Sequence, residues 1–198
     1  MNSPSNRQKF LALAVNTHGV VTTTEAVAIG IPAVELRKLV ARNAILRIGT
    51  NVYKSPFHPE SIETRHYAAI QLIAADAFLI GESVLWHFGL TEPEPNEITL
   101  GTRTRVRKGY PSDINVQSIS KWRKDSFIQT NLIRHQSVFD ALLHLAKRST
   151  LNARAYQKAK TKATALGLIT ESETRLIDNE VNKTGARDAR NLDIYENL

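Results

Sequence analysis

The chain has 198 residues, 42% hydrophobic and 23% charged, a composition that fits a folded soluble protein and argues against a disordered or membrane-spanning one. It contains no cysteine, which excludes a disulfide framework, a thiolate zinc site, an iron–sulfur cluster and a cysteine nucleophile. The net charge of +7 is unevenly distributed: residues 1–57 carry +5, 58–100 carry −6, 101–135 carry +6 and 136–198 carry +2.

An acidic block between two basic ones is the asymmetry of a nucleic-acid-binding head joined to a differently employed body. Apolar runs such as Ala77-Phe78-Leu79-Ile80 are far shorter than the ~20 residues a bilayer-spanning helix requires. The first residues lack the charged start and apolar core of a signal peptide, so a cytoplasmic protein without a membrane partner is expected.

In chain order, Asn6 to Asn16 reads as a helix with Phe10, Leu13 and Ala14 on one face, closing at His18-Gly19. The pair Val20-Val21 follows. Thr22-Thr23-Thr24-Glu25 then fits a capping box: the Thr22 hydroxyl accepts from the third helical amide while Glu25 reaches back to the Thr22 amide. That short second helix stops at Gly30. Pro32 suits the first turn of a third helix, which runs to about Asn43.

Wound at ~100° per residue, the third helix puts Leu36, Leu39 and Val40 on one face and Ala33, Val34, Arg37, Lys38, Ala41 and Arg42 toward the other. Ile45 to Ile48, the turn Gly49-Thr50-Asn51 and Val52 to Lys54 make a β-hairpin. Helix, short helix, turn, basic helix and hairpin form the winged helix-turn-helix arrangement, whose second motif helix enters the major groove. The expected DNA contacts are Thr23 and Thr24, the outward face of the third helix, and Arg47, Thr50, Asn51 and Lys54 in the wing. Val34, apolar on a basic face, suits a thymine methyl.

The stretches Gly19-Val20-Val21-Thr22-Thr23-Thr24-Glu25-Ala26, Leu36-Arg37-Lys38-Leu39-Val40-Ala41-Arg42 and Ile45-Leu46-Arg47-Ile48-Gly49-Thr50-Asn51-Val52-Tyr53 resemble the N-terminal domain of AbiEi-type antitoxins. Gly81-Glu82-Ser83-Val84-Leu85-Trp86-His87-Phe88-Gly89-Leu90 continues the resemblance more loosely, as do Ile98-Thr99-Leu100 and Ser137-Val138-Phe139-Asp140-Ala141-Leu142. Pro32 departs from it, standing where a hydroxyl residue commonly caps the recognition helix. The resemblance implies a phage-defence antitoxin that represses its own operon and counteracts a nucleotidyltransferase-like toxin. It implies an operator of duplex DNA, with an inverted repeat as the natural target of two copies.

Pro56 to Pro59 is a stiff connector, giving two expected units: a winged helix over 1–57 and an α+β body over 58–198. The body begins with a helix from Ser61 to about Ala74, with Ile62, Ala69, Ile70 and Ile73 inward. The run Phe78-Leu79-Ile80 and a helix from Ser83 follow. Strand-like runs at Glu97–Leu100, Arg103–Arg107, Ile114–Gln117 and Phe127–Arg134 predict a small antiparallel sheet.

Three helices close the chain, from Ser137, from Asn152 to Leu166, and from Thr170. The middle one packs Ala155, Tyr156, Ala159, Ala163 and Leu166 and repeats Arg154, Lys158 and Lys162 on another face. The alternation Arg103, Arg105, Arg107 with adjoining Lys108 would line one side of a strand. Both basic sets are candidates for toxin or secondary DNA contact, although solvated helix faces and charged sheet edges look the same.

No enzymatic constellation is expected. The six histidines fall in no ligand spacing, no phosphate loop occurs, and Asp178 to Lys183 lacks a nuclease Glu-x-Lys core. Gly81-Glu82-Ser83 with Glu92-Pro93-Glu94 only approaches a nucleotidyltransferase signature and reads as a helix cap plus loop. Neither cofactor nor metal is expected. A stand-alone transcription regulator with a ligand-sensing body is the alternative, and it would require a concave apolar pocket.

Overall fold

The structure, a computed structural model, describes residues 3–107, 109–119, 127–148 and 152–195. It is mixed helix and sheet, an α+β protein. The first elements are α1 (Asn6–Asn16), β1 (Val20–Thr22), α2 (Thr23–Ala28), α3 (Ala33–Ala41), β2 (Leu46–Gly49) and β3 (Val52–Lys54). The strands form an antiparallel sheet in the order β1-β3-β2.

Local rules set each boundary here. Ser5 and Gln8 close a capping box on α1, and Thr22 and Glu25 close the expected one on α2. All three helices end in the same backbone motif, in which a left-handed residue lets the amide two past the cap reach the carbonyl five residues back. Gly19 N–H donates to Ala14 O at 2.8 Å, Ile31 N–H to Ala26 O at 2.9 Å and Ala44 N–H to Leu39 O at 2.9 Å. The left-handed residues are His18, Gly30 and Asn43, at φ 51°, 79° and 54°. Pro32 is the cap of α3 rather than its first residue, and α3 ends at Ala41 with Arg42 as its C-cap, earlier than the sequence predicts.

Period-two alternation gives the small sheet two buried faces. Val21 and Tyr53 pack with Phe10, Ala14, Ala26, Ile31, Leu36, Leu39 and Ile45 in the core under α1–α3. Their neighbours Val20 and Val52 point the other way and join the core of the body. The covering element is α4 (Ile62–Ile73), which packs on β1 and β3. Gly49 lies so close beneath it that a β-carbon there would stand 2.1 Å from Leu72 Cδ2. At Gly19 (φ 80°) a β-carbon would stand 2.5 Å from the His58 ring. Tyr67 on α4 donates its hydroxyl to Glu25 Oε1 at 2.9 Å, tying the body to the capping carboxylate of α2.

The body continues with β4 (Phe78–Leu79), α5 (Glu82–His87), β5 (Ile98–Thr102), β6 (Ile114–Ser118), β7 (Ile128–Thr130), β8 (Ile133–His135), α6 (Val138–Arg148), α7 (Ala153–Ala165) and α8 (Glu171–Tyr195). Its sheet runs β6-β5-β4-β8-β7. It is not the antiparallel sheet expected: β5–β6 and β4–β8 are parallel pairs, and β4–β5 and β7–β8 are antiparallel. The two-residue β4, within the run Phe78-Leu79-Ile80, is the central strand. The run predicted as one strand over Phe127–Arg134 is a hairpin turning at Asn131 and Leu132, both with positive φ.

Arg103–Arg107 is not a strand either. β5 ends at Thr102, where the Asp76 carboxylate accepts from the Thr102 hydroxyl (2.7 Å), the Arg103 amide (3.0 Å) and the Thr104 amide (3.2 Å). Those amides are therefore taken by a side chain instead of a neighbouring strand. Burial opposes ionisation of Asp76, but these hydrogen bonds together outweigh it and lower its pKa.

The closing helices start where their caps predict. Ser137 Oγ accepts the Asp140 amide, Asn152 Oδ1 accepts the Arg154 amide, and Thr170 with Glu173 forms a reciprocal pair. Tyr156, Ala159 and Ala163 are buried as expected, but Leu166 is 57% exposed because it is the C-cap, where the helical stripe has already ended. Among the described residues no helix is long and apolar enough to cross a membrane.

Candidate nucleic-acid interface

The outward surface of α3 is built by subtraction. Leu36 and Leu39 hold the helix in the core, at 0% and 7% exposure, and Val40 packs at its edge. Ala33, Val34, Arg37, Lys38, Ala41 and Arg42 are then all exposed on the remaining surface. Val34 is 48% exposed, an apolar side chain with no core to join. The two alanines keep that surface low between the long cations, which suits close approach by another molecule.

The cations differ in readiness. Lys38 Nζ lies 2.7 Å from Glu35 Oε1, one turn earlier, and this hydrogen bond lowers the Glu35 pKa. Lys38 therefore starts with an exposed intrahelical partner that a phosphate would have to replace, a contact worth little in water. Neither Arg37 nor Arg42 forms an ion pair among the described residues. Pro32 provides no side-chain cap, so the first amides of α3 have no hydroxyl or carboxylate cap.

The β2–β3 turn is tied to the start of α2. Thr23 N–H donates to Asn51 O at 2.9 Å, and Thr23 Oγ1 reaches Asn51 Oδ1 at 3.4 Å. Asn51 has φ 60°, the conformation an Asx residue tolerates in a hairpin turn. Thr24, Thr50 and Asn51 are exposed. Arg47 is exposed and its Nε donates to Gly49 O at 3.1 Å, which fixes its stem along the hairpin. The structure thus brings Thr23, Thr50, Asn51 and Arg47 to one hairpin adjoining α2.

Lys54 departs from the expected set. It pairs with Glu60 at the far end of β3, its side chain 20% exposed, so it is committed to the connector instead of the hairpin turn. The sequence had placed it only by its membership of the hairpin. Arg7, by contrast, drew no attention in the sequence, and its guanidinium stacks over Phe57 at 5.5 Å.

Of the two other basic sets, the alternating arginines do not form the strand face expected of them, while the α7 set lies on the surface. Arg103, Arg105 and Arg107 are exposed but follow the end of β5 with no strand to align them, and Lys108 lies outside the described residues. Arg154, Lys158 and Lys162 are all exposed on α7, and Lys162 Nζ donates to the Gly89 carbonyl at 2.6 Å, closing the turn after α5. Ser83 is no cap: it is fully buried, and its hydroxyl accepts the Thr99 amide at 2.8 Å. That bond joins α5 to β5.

Three histidines that share no sequence spacing meet beneath α4. His66 Nδ1 and His87 Nδ1 are 3.1 Å apart, so one donates and the other accepts. The His135 ring stands 6.0 Å from that of His87; its Nδ1–H donates to Gln136 O at 2.6 Å, leaving Nε2 to accept from the Thr130 hydroxyl. Burial, with the neighbouring His87 and Arg65 charges, pushes the His66 pKa down to about 3. Burial and His135 lower that of His87. A mutually hydrogen-bonded neutral pair is the consequence. Among the described residues no group of three acidic or histidine side chains could hold a metal ion.

Residues 8–55, from within α1 to just past β3, match the family model of AbiEi antitoxin transcriptional regulators. The N-terminal unit is thus similar to the AbiEi antitoxin regulators, as its sequence resembles, and the match stops before α4. A comparison with curated proteins finds no match to this chain.

Proposed function

We propose that residues 1–57 act as a winged helix-turn-helix that binds operator DNA, with α3 in the major groove and the β2–β3 hairpin as the wing. The observation that carries this reading is the uncovered face of α3: Val34, Arg37, Lys38, Ala41 and Arg42 are all exposed on one helix. Arg37 and Arg42 contact phosphate or base edges, Val34 meets an apolar base edge, and Arg47, Thr50 and Asn51 follow the backbone. Lys54 has no part in this set.

The full reading is an antitoxin that represses its own operon and, through residues 58–198, counteracts a nucleotidyltransferase-like toxin in the cytoplasm, as a binding protein rather than an enzyme. One such DNA-binding module buries only ~600–1,000 Å² of protein, which favours two copies on an inverted repeat. Arg154 and Lys158 are the remaining candidates for a toxin-facing surface, because a basic patch would steer toward an acidic cleft.

Footprinting with the full-length chain on its own upstream region tests the first part: two protected half-sites are expected, and uniform protection of all sequences contradicts it. Rescue of growth by an Arg37→Ala/Arg42→Ala chain, against a nucleotidyltransferase-like toxin encoded in an adjacent reading frame, tests the second. Rescue is expected, because the α3 surface is remote in role from toxin neutralisation. Truncating the chain at 57 would be a poorer test, since it uncovers Val20 and Val52.

A further inference from the structure

One end of the body's sheet is held against the N-terminal unit. The start of β4 pairs with the end of β5, Phe78 opposite Gly101, and lies beside the start of the parallel β8, so the β7–β8 turn and the end of β5 share that end of the sheet. His18, just past α1, donates its Nε2–H to Asn131 O in the β7–β8 turn at 2.6 Å. Leu72, near the end of α4, presses on Gly49, the last residue of β2. The segment Arg103–Arg107 therefore leaves the body at the end where the body meets the N-terminal unit.

The root of that segment is fixed. Asp76 follows Leu72 by four residues, at most ~14 Å of chain, and accepts the Arg103 and Thr104 amides at 3.0 and 3.2 Å. An unbroken path of contacts thus runs from the β2–β3 turn through Gly49, Leu72 and Asp76 to the arginines. Arg105 and Arg107 are exposed, and neither forms an ion pair among the described residues. Asp76, the acid at their root, is already occupied by its three hydrogen bonds. Residues 58–100 carry −6, which repels a duplex, and these two cations offset that charge at the end nearest the N-terminal unit.

We propose that Arg105 and Arg107 are a second DNA contact, neutralising backbone phosphates of the operator duplex that flank the β2–β3 turn. This inference rests on the operator-binding reading and extends its interface into the body. Guanidinium pairs phosphate bidentately whatever the base sequence. A duplex carries one charge per ~1.7 Å of its axis, so arginines that reach its edge find phosphate without a strand to align them.

The test is fluorescence anisotropy of the full-length chain over a salt series, on its own upstream duplex and on a scrambled duplex of equal length. Arg105→Ala/Arg107→Ala should lower the slope of log K against log salt by ~2 on both, with circular dichroism as in the parent. Arg107→Ala alone, with a slope lower by ~1, serves where the double variant does not fold. Arg105→Lys/Arg107→Lys should restore the slope, because the contact needs charge. On a duplex trimmed to the base pairs that α3 protects, parent and alanine variant should bind alike.

Arg37→Ala/Arg42→Ala separates the two readings. Weakening by that pair, with affinity and slope unchanged in Arg105→Ala/Arg107→Ala, would leave operator reading by α3 standing and overturn the second contact. The reverse result would leave the second contact standing without α3. A parent that binds neither duplex overturns both. Loss of growth rescue by Arg105→Ala/Arg107→Ala, with DNA binding unchanged, would assign the segment to the toxin and overturn the proposal.

Discussion

The N-terminal unit and the body close their backbones over different distances in sequence. In the first unit Ser5 answers Gln8 and Thr22 answers Glu25, three residues apart, and every helix ends on the carbonyl five residues back. In the body Ser83 serves Thr99, Thr102 serves Asp76, and Gln136 Oε1 accepts the Gly81 amide across 55 residues. The first unit is a set of local decisions. The body acquires its sheet only when distant segments meet, and its central strand has just two residues. Yet the two are not energetically separate, because the back of the small sheet lies in the larger core.

The largest test of that coupling is core truncation. Leu36 and Leu142 are both fully buried, one in each core, and Leu→Ala at such sites costs ~2–5 kcal/mol. In urea, Leu36→Ala should lower the midpoint seen by tryptophan fluorescence, both tryptophans (Trp86 and Trp122) belonging to the body, and by circular dichroism alike. Separate transitions for the two signals would break the coupling. Tyr67→Phe asks the same question at one bond: removing its donation to the Glu25 carboxylate should cost ~1.5–3 kcal/mol, the range for hydrogen bonds to charged groups. A change within error would make α4 a packing element only.

Acid should destabilise the whole chain through the body. His66 is held near pKa 3 in the folded chain and returns to ~6.5 on unfolding, so the unfolded state binds more protons between these values. Its contribution is complete above about pH 6.5 and is lost as pH falls, at ~1.4 kcal/mol per pH unit. Lowered His87 adds to the same slope. Urea midpoints at pH 7.5, 6.0 and 5.0 should decline, and His66→Phe should flatten the decline. A pH-independent midpoint over that window would contradict the neutral pair. The smallest effect is capping: Thr22→Ala and Ser137→Ala should each cost ~1 kcal/mol. Equal losses would show that the local code acts alike in both regions.

These contrasts explain what the sequence could disclose. The caps at Ser137, Asn152 and Thr170 were as legible as those of the first unit, because each is read within four residues. The outward face of α3 followed from helical period and from Leu36 and Leu39. The alternating arginines after β5 misled, since the Asp76 carboxylate that ends the strand lies 26 residues upstream. Lys54 was read without Glu60, and Leu166 without the helix end that exposes it. The histidine cluster had no spacing to find, because His66, His87 and His135 come from α4, α5 and β8.

The central claim is that α3 is the DNA-reading surface, and its most direct measurement is the salt dependence of operator affinity. Fluorescence anisotropy on the chain's own upstream DNA would compare the full-length parent with Arg37→Ala/Arg42→Ala. Removing two phosphate-neutralising cations should lower the slope of log K against log salt by ~2, with unchanged circular dichroism. An unchanged slope and affinity in the folded double variant would contradict the account.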